Sequence, residues 1–282
     1  MSVFLNGKLV PEEQAAVSVF DRGFLYGDGL LETIRISNGK PFRWNAHMAR
    51  LARGAKFLNI RLPFSPAEMR ASALELVRVN DTKESILRIV LTRGAGERGY
   101  SPKGAEKPTL VMSLHPAPVI ATQKPPQWRL ITTSYRVQPG DPLAKFKTCN
   151  KLRQILARRE ADEAGADEGL LLDEYGLVAE ATSGNIFWVD KEWVHTPPVE
   201  EGVLPGVTRA IVFELCKRLG FECYEGGIRP DLFPTIEGVF VSLSSWGIVE
   251  VSHMDGRKLM TSEIVARLRG EYQRLVQEET ST

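Results

Sequence analysis

Residues 143–190 read LAKFKTCNKLRQILARREADEAGADEGLLLDEYGLVAEATSGNIFWVD, and the rest of the chain is read outward from them. Lys145 and Lys147 stand just ahead of a stretch spaced like an amphipathic helix, expected to run to about Ala164. Thr148 or Asn150 is its candidate cap, and Gly165 is its stop. Residues 170–173 and 177–181 flank a turn at 174–176, which predicts a hairpin whose second strand carries Glu180. A polar turn, Thr182-Ser183-Gly184-Asn185, leads into a further strand over 186–190.

Toward the C-terminus, 203–218 reads as a loop followed by a helix that begins near Gly206-Val207-Thr208 and stops at Gly220. Residues 239–251 read as strand, serine-rich bend, strand; 262–278 is a closing amphipathic helix. Toward the N-terminus, 2–10 is a hairpin about Asn6-Gly7, and a second turn sits at Asn38-Gly39. Between them Gly27-Asp28-Gly29 breaks the chain before a strand over 31–36, in a spacing that matches neither a Walker loop nor a dinucleotide fingerprint. Residues 44–58 have helical spacing, with Trp44, Met48, Leu51, Ala55 and Leu58 on one face. His47 and Arg50 lie one turn apart on that helix, and a solvated basic face is the plain reading of them. Ser65-Pro66 predicts the start of a helix over 66–79. Strands follow at 85–93 and 109–115, separated by GAGERGYSPKG (94–104), which reads as a mobile polar loop with Arg98 and Tyr100 at its centre. Residues 116–127 are proline-rich and patternless, so the expected organisation is an N-terminal domain over 1–116, a linker over 117–127 and a C-terminal domain over 128–282. The mixture of helices and strands is of the α/β (α+β) class.

Composition narrows the function. Hydrophobic residues are 43% and charged residues 25%, and the net charge is +1, which gives no electrostatic case for nucleic acid or an anionic membrane. No apolar run approaches the roughly 20 residues of a membrane helix, and the first residues lack the pattern of a signal peptide. Cys149, Cys216 and Cys223, and likewise His47, His115, His195 and His253, have no metal-site spacing. A cytoplasmic protein without a metal is the expectation.

A lysine ahead of a helix is usually a surface charge. Lys147 acquires meaning from Glu180, 180 − 147 = 33 residues on, which a hairpin can return to the same place. An amine for a covalent tether and an acid for a pyridine nitrogen are what pyridoxal 5'-phosphate requires. Anions are welcome at the helix start Val207-Thr208 and at the hydroxyls of Ser244 and Ser245, and Arg50 can add a charge-assisted bond to a phosphate.

The segments DRGFLYGDGLLETIR, WNAHMARL, KTCNKLRQILARREA, DEGLLLDEYGLVAEATSGNIFWV and LPGVTRA, in this order along nearly the whole chain, resemble the class IV aminotransferases. These are the pyridoxal phosphate enzymes of fold type IV: branched-chain and D-amino acid aminotransferases and 4-amino-4-deoxychorismate lyase. The resemblance implies two α/β domains of the D-amino acid aminotransferase-like kind with the cofactor between them, assembled as a homodimer acting on a small amino substrate. It implies that Lys147 rather than Lys145 forms the Schiff base, and that Glu180 faces the pyridine nitrogen. It places Arg50, Val207, Thr208, Ser244 and Ser245 on the cofactor, and Arg98, Tyr100 and Leu31 on the substrate. The RGYS sequence at 98–101 looks most like the lyase, and Thr33 falls where the lyase is thought to use a hydroxyl. The expected activity is therefore cleavage of 4-amino-4-deoxychorismate to 4-aminobenzoate and pyruvate, in folate biosynthesis. Transamination of a D- or branched-chain amino acid is the alternative.

Overall fold

The computed structural model describes residues 1–119 and 125–281; part of the expected linker, 120–124, lies outside the described residues. Contacts divide the chain into two units.

The first unit starts with β1 (Ser2–Leu5) and β2 (Lys8–Pro11), joined through Asn6 and Gly7 at positive φ as the Asn-Gly turn requires. A short helix, α1 (Arg22–Tyr26), is capped by the Asp21 carboxylate, which accepts from the Gly23 N–H at 2.8 Å. There follow β3 (Gly29–Ser37), β4 (Lys40–Pro41), α2 (Trp44–Leu58), α3 (Pro66–Val79), β5 (Ser85–Thr92) and β6 (Thr109–Pro116). Ser65 and Glu68 close a reciprocal capping box at the start of α3. Among the described residues these strands form a six-stranded sheet ordered β2-β1-β6-β5-β3-β4. Alternation along β3 turns Leu30, Ile34 and Ile36 into a core shared with Trp44, Met48 and Leu51 of α2.

The second unit holds β7 (Gln127–Val137), α4 (Leu152–Glu163), β8 (Glu168–Asp173), β9 (Val178–Ala181), β10 (Asn185–Asp190), β11 (Trp193–Thr196), α5 (Val207–Leu219), β12 (Glu222–Glu225), β13 (Gly238–Leu243), β14 (Gly247–Met254) and β15 (Arg257–Lys258). Its mixed sheet runs β12-β11-β10-β13-β14-β7-β8-β9, with β15 on β14. The last helix, α6 (Glu263–Ser281), belongs to this unit through Leu275 and to the first unit from Val276 on. Among the described residues no helix is long and apolar enough to cross a membrane.

Three expectations change. First, neither Thr148 nor Asn150 caps α4: Lys151 is its cap and makes no side-chain cap bond, while the Asn150 amide donates to the Gly27 carbonyl at 3.2 Å. Second, α4 is barely amphipathic; only Ala157 and Ala161 are buried, and Leu152 and Ile155 are exposed. Third, a cut at the linker does not describe the contacts, because Phe146–Asn150 groups with the first unit. The physical reason is a short antiparallel ladder: Leu30 bridges Thr148, the Leu31 N–H donates to the Lys147 carbonyl at 2.9 Å, and the Cys149 N–H donates to the Gly29 carbonyl at 2.9 Å.

That ladder needs a residue without a side chain at its start. A Cβ on Gly29 would lie 2.6 Å from the Leu91 carbonyl oxygen and 3.3 Å from Cys149 Sγ. Gly29→Ala is expected to cost on the order of 1–3 kcal/mol by overpacking, read as a lower urea midpoint. Amide exchange at Leu31 and Cys149 should speed up more than exchange in α3.

Candidate active site

The ladder fixes the backbone of Lys147 at the start of β3. Phe146 anchors it from the preceding side, stacking on Phe57 with ring centroids 4.4 Å apart. Lys147 is half-buried, whereas Lys145 is exposed.

One residue along β3 from Leu31, Glu32 turns inward beneath α2. Its carboxylate takes both arms of Arg50, Nε to Oε1 at 2.8 Å and Nη2 to Oε2 at 2.6 Å, and His47 Nδ1 lies 2.8 Å from Oε2. The three are 0%, 5% and 2% exposed, so the basic face of α2 is not solvated, as expected from sequence, but closed over a buried acid. Burial alone would raise the Glu32 pKa; the bonds and charge of Arg50, then His47, outweigh it and bring it down to about 2. Burial lowers the pKa of His47; the Glu32 contact opposes this, and the charges of Arg50 and Lys147 add to it. Lys147 thus acts electrostatically on a cluster one strand residue from its own anchor. Leu31 and Thr33 alternate to the other face of β3, the first buried and the second half-buried.

The 94–104 loop is tied to α1 at its centre. Arg22, itself buried, donates from Nη1 to the Gly99 carbonyl at 2.8 Å and from Nη2 to the Tyr100 carbonyl at 3.1 Å. Tyr26 Oη accepts from the Gly99 N–H at 3.2 Å, and its ring meets Tyr100 edge-on at 5.7 Å. Asp28 holds Arg22 Nε at 2.9 Å and Arg93 Nε at 2.7 Å. Burial would raise the Asp28 pKa, but the two guanidiniums bring it down. The Arg98 and Tyr100 side chains themselves are exposed. This clamp escapes sequence reading because its acceptors are backbone carbonyls; the Gly27-Asp28-Gly29 break is its only trace.

In the second unit Glu180 sits on β9 opposite Leu171 of β8. Its Oε2 accepts from the Leu204 N–H at 3.1 Å. Leu204 lies two residues before Gly206, the cap of α5, so the carboxylate reaches the loop that presents the first turn of that helix. Val207 and Thr208 are buried in that turn, and Thr208 Oγ1 is 3.5 Å from Ser244 Oγ in the bend after β13. Ser245 follows in the same bend. The second unit therefore gathers Glu180, the N–H groups at the start of α5 and the Thr208–Ser244 hydroxyls. The first unit gathers Lys147, Leu31, Thr33 and the Glu32–Arg50–His47 cluster. Each unit taken by itself offers groups of a kind that fits pyridoxal phosphate: the second a carboxylate, a helix N-terminus and paired hydroxyls, the first an amine. Sequence reading missed Glu32 as the partner of Arg50, missed Leu204, and saw in Asn185 only the end of a polar turn, whereas its Nδ2 donates to the Leu204 carbonyl at 2.8 Å.

Comparison with known proteins agrees with this chemistry. A family model described as amino-transferase class IV matches residues 29–254. The chain is 39% identical to the "Putative branched-chain-amino-acid aminotransferase" of Methanocaldococcus jannaschii, over 94% of this chain and 91% of that one. It is 29% identical to the aminodeoxychorismate lyase of Bacillus subtilis, over 90% of this chain and 86% of that one. A crystal structure of a T.th. branched-chain amino acid aminotransferase with pyridoxamine 5'-phosphate superposes with a TM-score of 0.92 at 29% identity, covering 99% of this chain and 96% of that one.

Glu32, held near 2 in the fold against an ordinary 4.5, contributes stability that is complete above 4.5 and lost as pH falls toward 2. His47, lowered in the fold, adds a loss of the same sign as pH falls below its ordinary 6.5. Glu32→Gln is expected to destabilise by about 3–5 kcal/mol at neutral pH, because Arg50 is left buried without its counter-charge. The variant's melting temperature should vary less between pH 4.5 and 2 than that of the parent. Parallel pH profiles would contradict the assignment.

Proposed function

The chain belongs to the class IV aminotransferase family, and from that premise we propose an enzyme that transfers the amino group of an amino acid to a 2-oxo acid. Branched-chain amino acids are the first substrates to try. The likeness over 94% of the chain to a branched-chain-type relative supports this choice. The family's cofactor is pyridoxal phosphate.

Lys147 is proposed as the covalent tether. Val207, Thr208, Ser244 and Ser245 would grip the phosphate, with Arg50 aimed by Glu32. Bound in this way, the cofactor supplies an electron sink for charge developing at the amine-bearing carbon of the substrate. The chain's own residues do the rest. The Lys147 amine would take the proton from that carbon and deliver it to the cofactor side of the bond, so that the amino group stays behind when water releases the 2-oxo acid; its fixed backbone would keep the transfer short. Glu180 would hold a proton at the pyridine nitrogen, with the Leu204 N–H keeping its carboxylate in place. Leu31 would bound the substrate side chain. Arg98 would pair with a substrate carboxylate, with Tyr100 beside it. We propose a homodimer as the working form; exposed Phe20 and Phe24, 65% and 74% accessible, support a partner over α1.

A second reading, 4-amino-4-deoxychorismate lyase, draws support from two features. One is the Arg98-Gly99-Tyr100-Ser101 sequence, held down by Arg22; the other is the half-buried Thr33 hydroxyl on the Leu31 face of β3. In this reading the first proton transfer is the same, and Lys147 or Thr33 supplies a proton as the enolpyruvyl group leaves.

A substrate panel separates the two. Transamination expects 2-oxo acid formation from L-leucine, L-valine or D-alanine with 2-oxoglutarate, and little release of fluorescent 4-aminobenzoate from 4-amino-4-deoxychorismate. The reverse pattern establishes the lyase. Thr33→Ala sharpens the result: loss of a general acid costs about 10²–10⁴-fold in rate, so lyase turnover should collapse while transamination falls by less than about tenfold.

A further inference from the structure

One residue in the second unit is held by both of its backbone polar groups. The Leu204 N–H donates to Glu180 Oε2 at 3.1 Å, and the Leu204 carbonyl accepts from Asn185 Nδ2 at 2.8 Å. We propose that Asn185 is a positioning residue that aims the Leu204 N–H at Glu180 and sets where the first turn of α5 begins. This rests on the reading that Glu180 and the start of α5 hold the cofactor.

Asn185 is fixed before it acts. It is 4% exposed, and as the first residue of β10 it pairs with Ser242 of β13 inside the large sheet. The turn between Glu180 and Asn185 is braced as well. The Ala181 N–H donates to the Gly184 carbonyl at 2.9 Å. The Thr182 and Ser183 hydroxyls both donate to Glu168, a fully buried carboxylate that also accepts from the Gly169 N–H at 2.8 Å. Glu180 and Asn185 therefore leave the two ends of one braced turn and close on the same residue, one on its N–H and the other on its carbonyl.

The cap of α5 carries the complementary mark. Ser, Asn and Asp lead at helix caps, with Thr and Gly next; this cap is Gly206, with no side-chain cap bond. Its backbone is extended, at φ −68° and ψ 143°, so conformational freedom does not explain the glycine. Space does: a Cβ on Gly206 would overlap Asn185 Oδ1. The glycine leaves room for the asparagine, and the asparagine must be a short, neutral donor. An aspartate would present a carboxylate to the Leu204 carbonyl, and an alanine would leave that carbonyl without its donor.

The test uses the full chain and three variants: Asn185→Ala, Asn185→Asp and Gly206→Ala. Hydrogen exchange of the 202–206 peptide is measured without cofactor, and the dissociation constant for pyridoxal phosphate and the pH titration of bound-cofactor absorbance are measured with it. Pro205 has no N–H, so the peptide reports few amides. The expectation for all three variants is exchange faster by at least about tenfold at Leu204, with β13 and β14 amides unchanged, and cofactor affinity weaker by about tenfold or more. The absorbance titration should shift, which a merely structural role would not cause. Unchanged Leu204 exchange in folded Asn185→Ala, or faster exchange with unchanged affinity and titration, would overturn the proposal. If Asn185→Ala does not fold, Gly206→Ala decides alone by the same readouts. Glu180→Gln tests the underlying reading separately: if it weakens cofactor binding and Asn185→Ala does not, only the positioning role falls; if neither does, the cofactor reading falls with it.

Discussion

Two backbone hydrogen bonds, from Leu31 to Lys147 and from Cys149 to Gly29, are the constraint on which the proposed chemistry depends. Lysine is a long, flexible side chain, and a lysine on a free loop cannot hold a reacting amine in place. Here its carbonyl and the amide two residues on are tied into an edge of β3, next to the bridge between Leu30 and Thr148. Lys145 and Lys151 group with the other unit, so of the three neighbouring lysines only Lys147 has a backbone held in this way.

The same strand supplies the electrostatics. Leu31 carries the ladder, Glu32 gathers Arg50 and His47 on the core side, and Thr33 returns to the opposite face. A buried acid with a bidentate arginine is weak evidence of stability, since an apolar replacement can serve as well. The role we propose for it is orientation: a guanidinium whose Nε and Nη2 are fixed has its remaining N–H groups fixed too. In the second unit the proposed role of the Leu204 N–H toward Glu180 is the one proposed for Glu32 toward Arg50. In each case the charged group is aimed by a neighbour that makes no proposed contact with substrate.

Much of the fold was legible. Asn-Gly turns, the Ser65-Pro66 start and the apolar spacing of 44–58 all mark elements that form, because each is a local rule satisfied within a few residues. The helix over 22–26 was not legible; at five residues it is too short for periodicity, and it is held by Asp21 and by contacts to the 94–104 loop. The helix after Lys147 was legible in position but not in character, since alanines rather than leucines face inward. Lys147 and Glu180 stood out as candidates by residue type and order. What surrounds them did not, because the partners are distant in sequence or are backbone atoms. Glu32 lies 15 and 18 residues from His47 and Arg50, and Leu204 contributes only its backbone N–H and carbonyl.

The most direct test of the central claim is borohydride reduction of the chain loaded with pyridoxal phosphate, followed by peptide mapping. The phosphopyridoxyl mass is expected on Lys147 alone. A label on Lys145 or Lys151, or one spread among surface lysines, would contradict it.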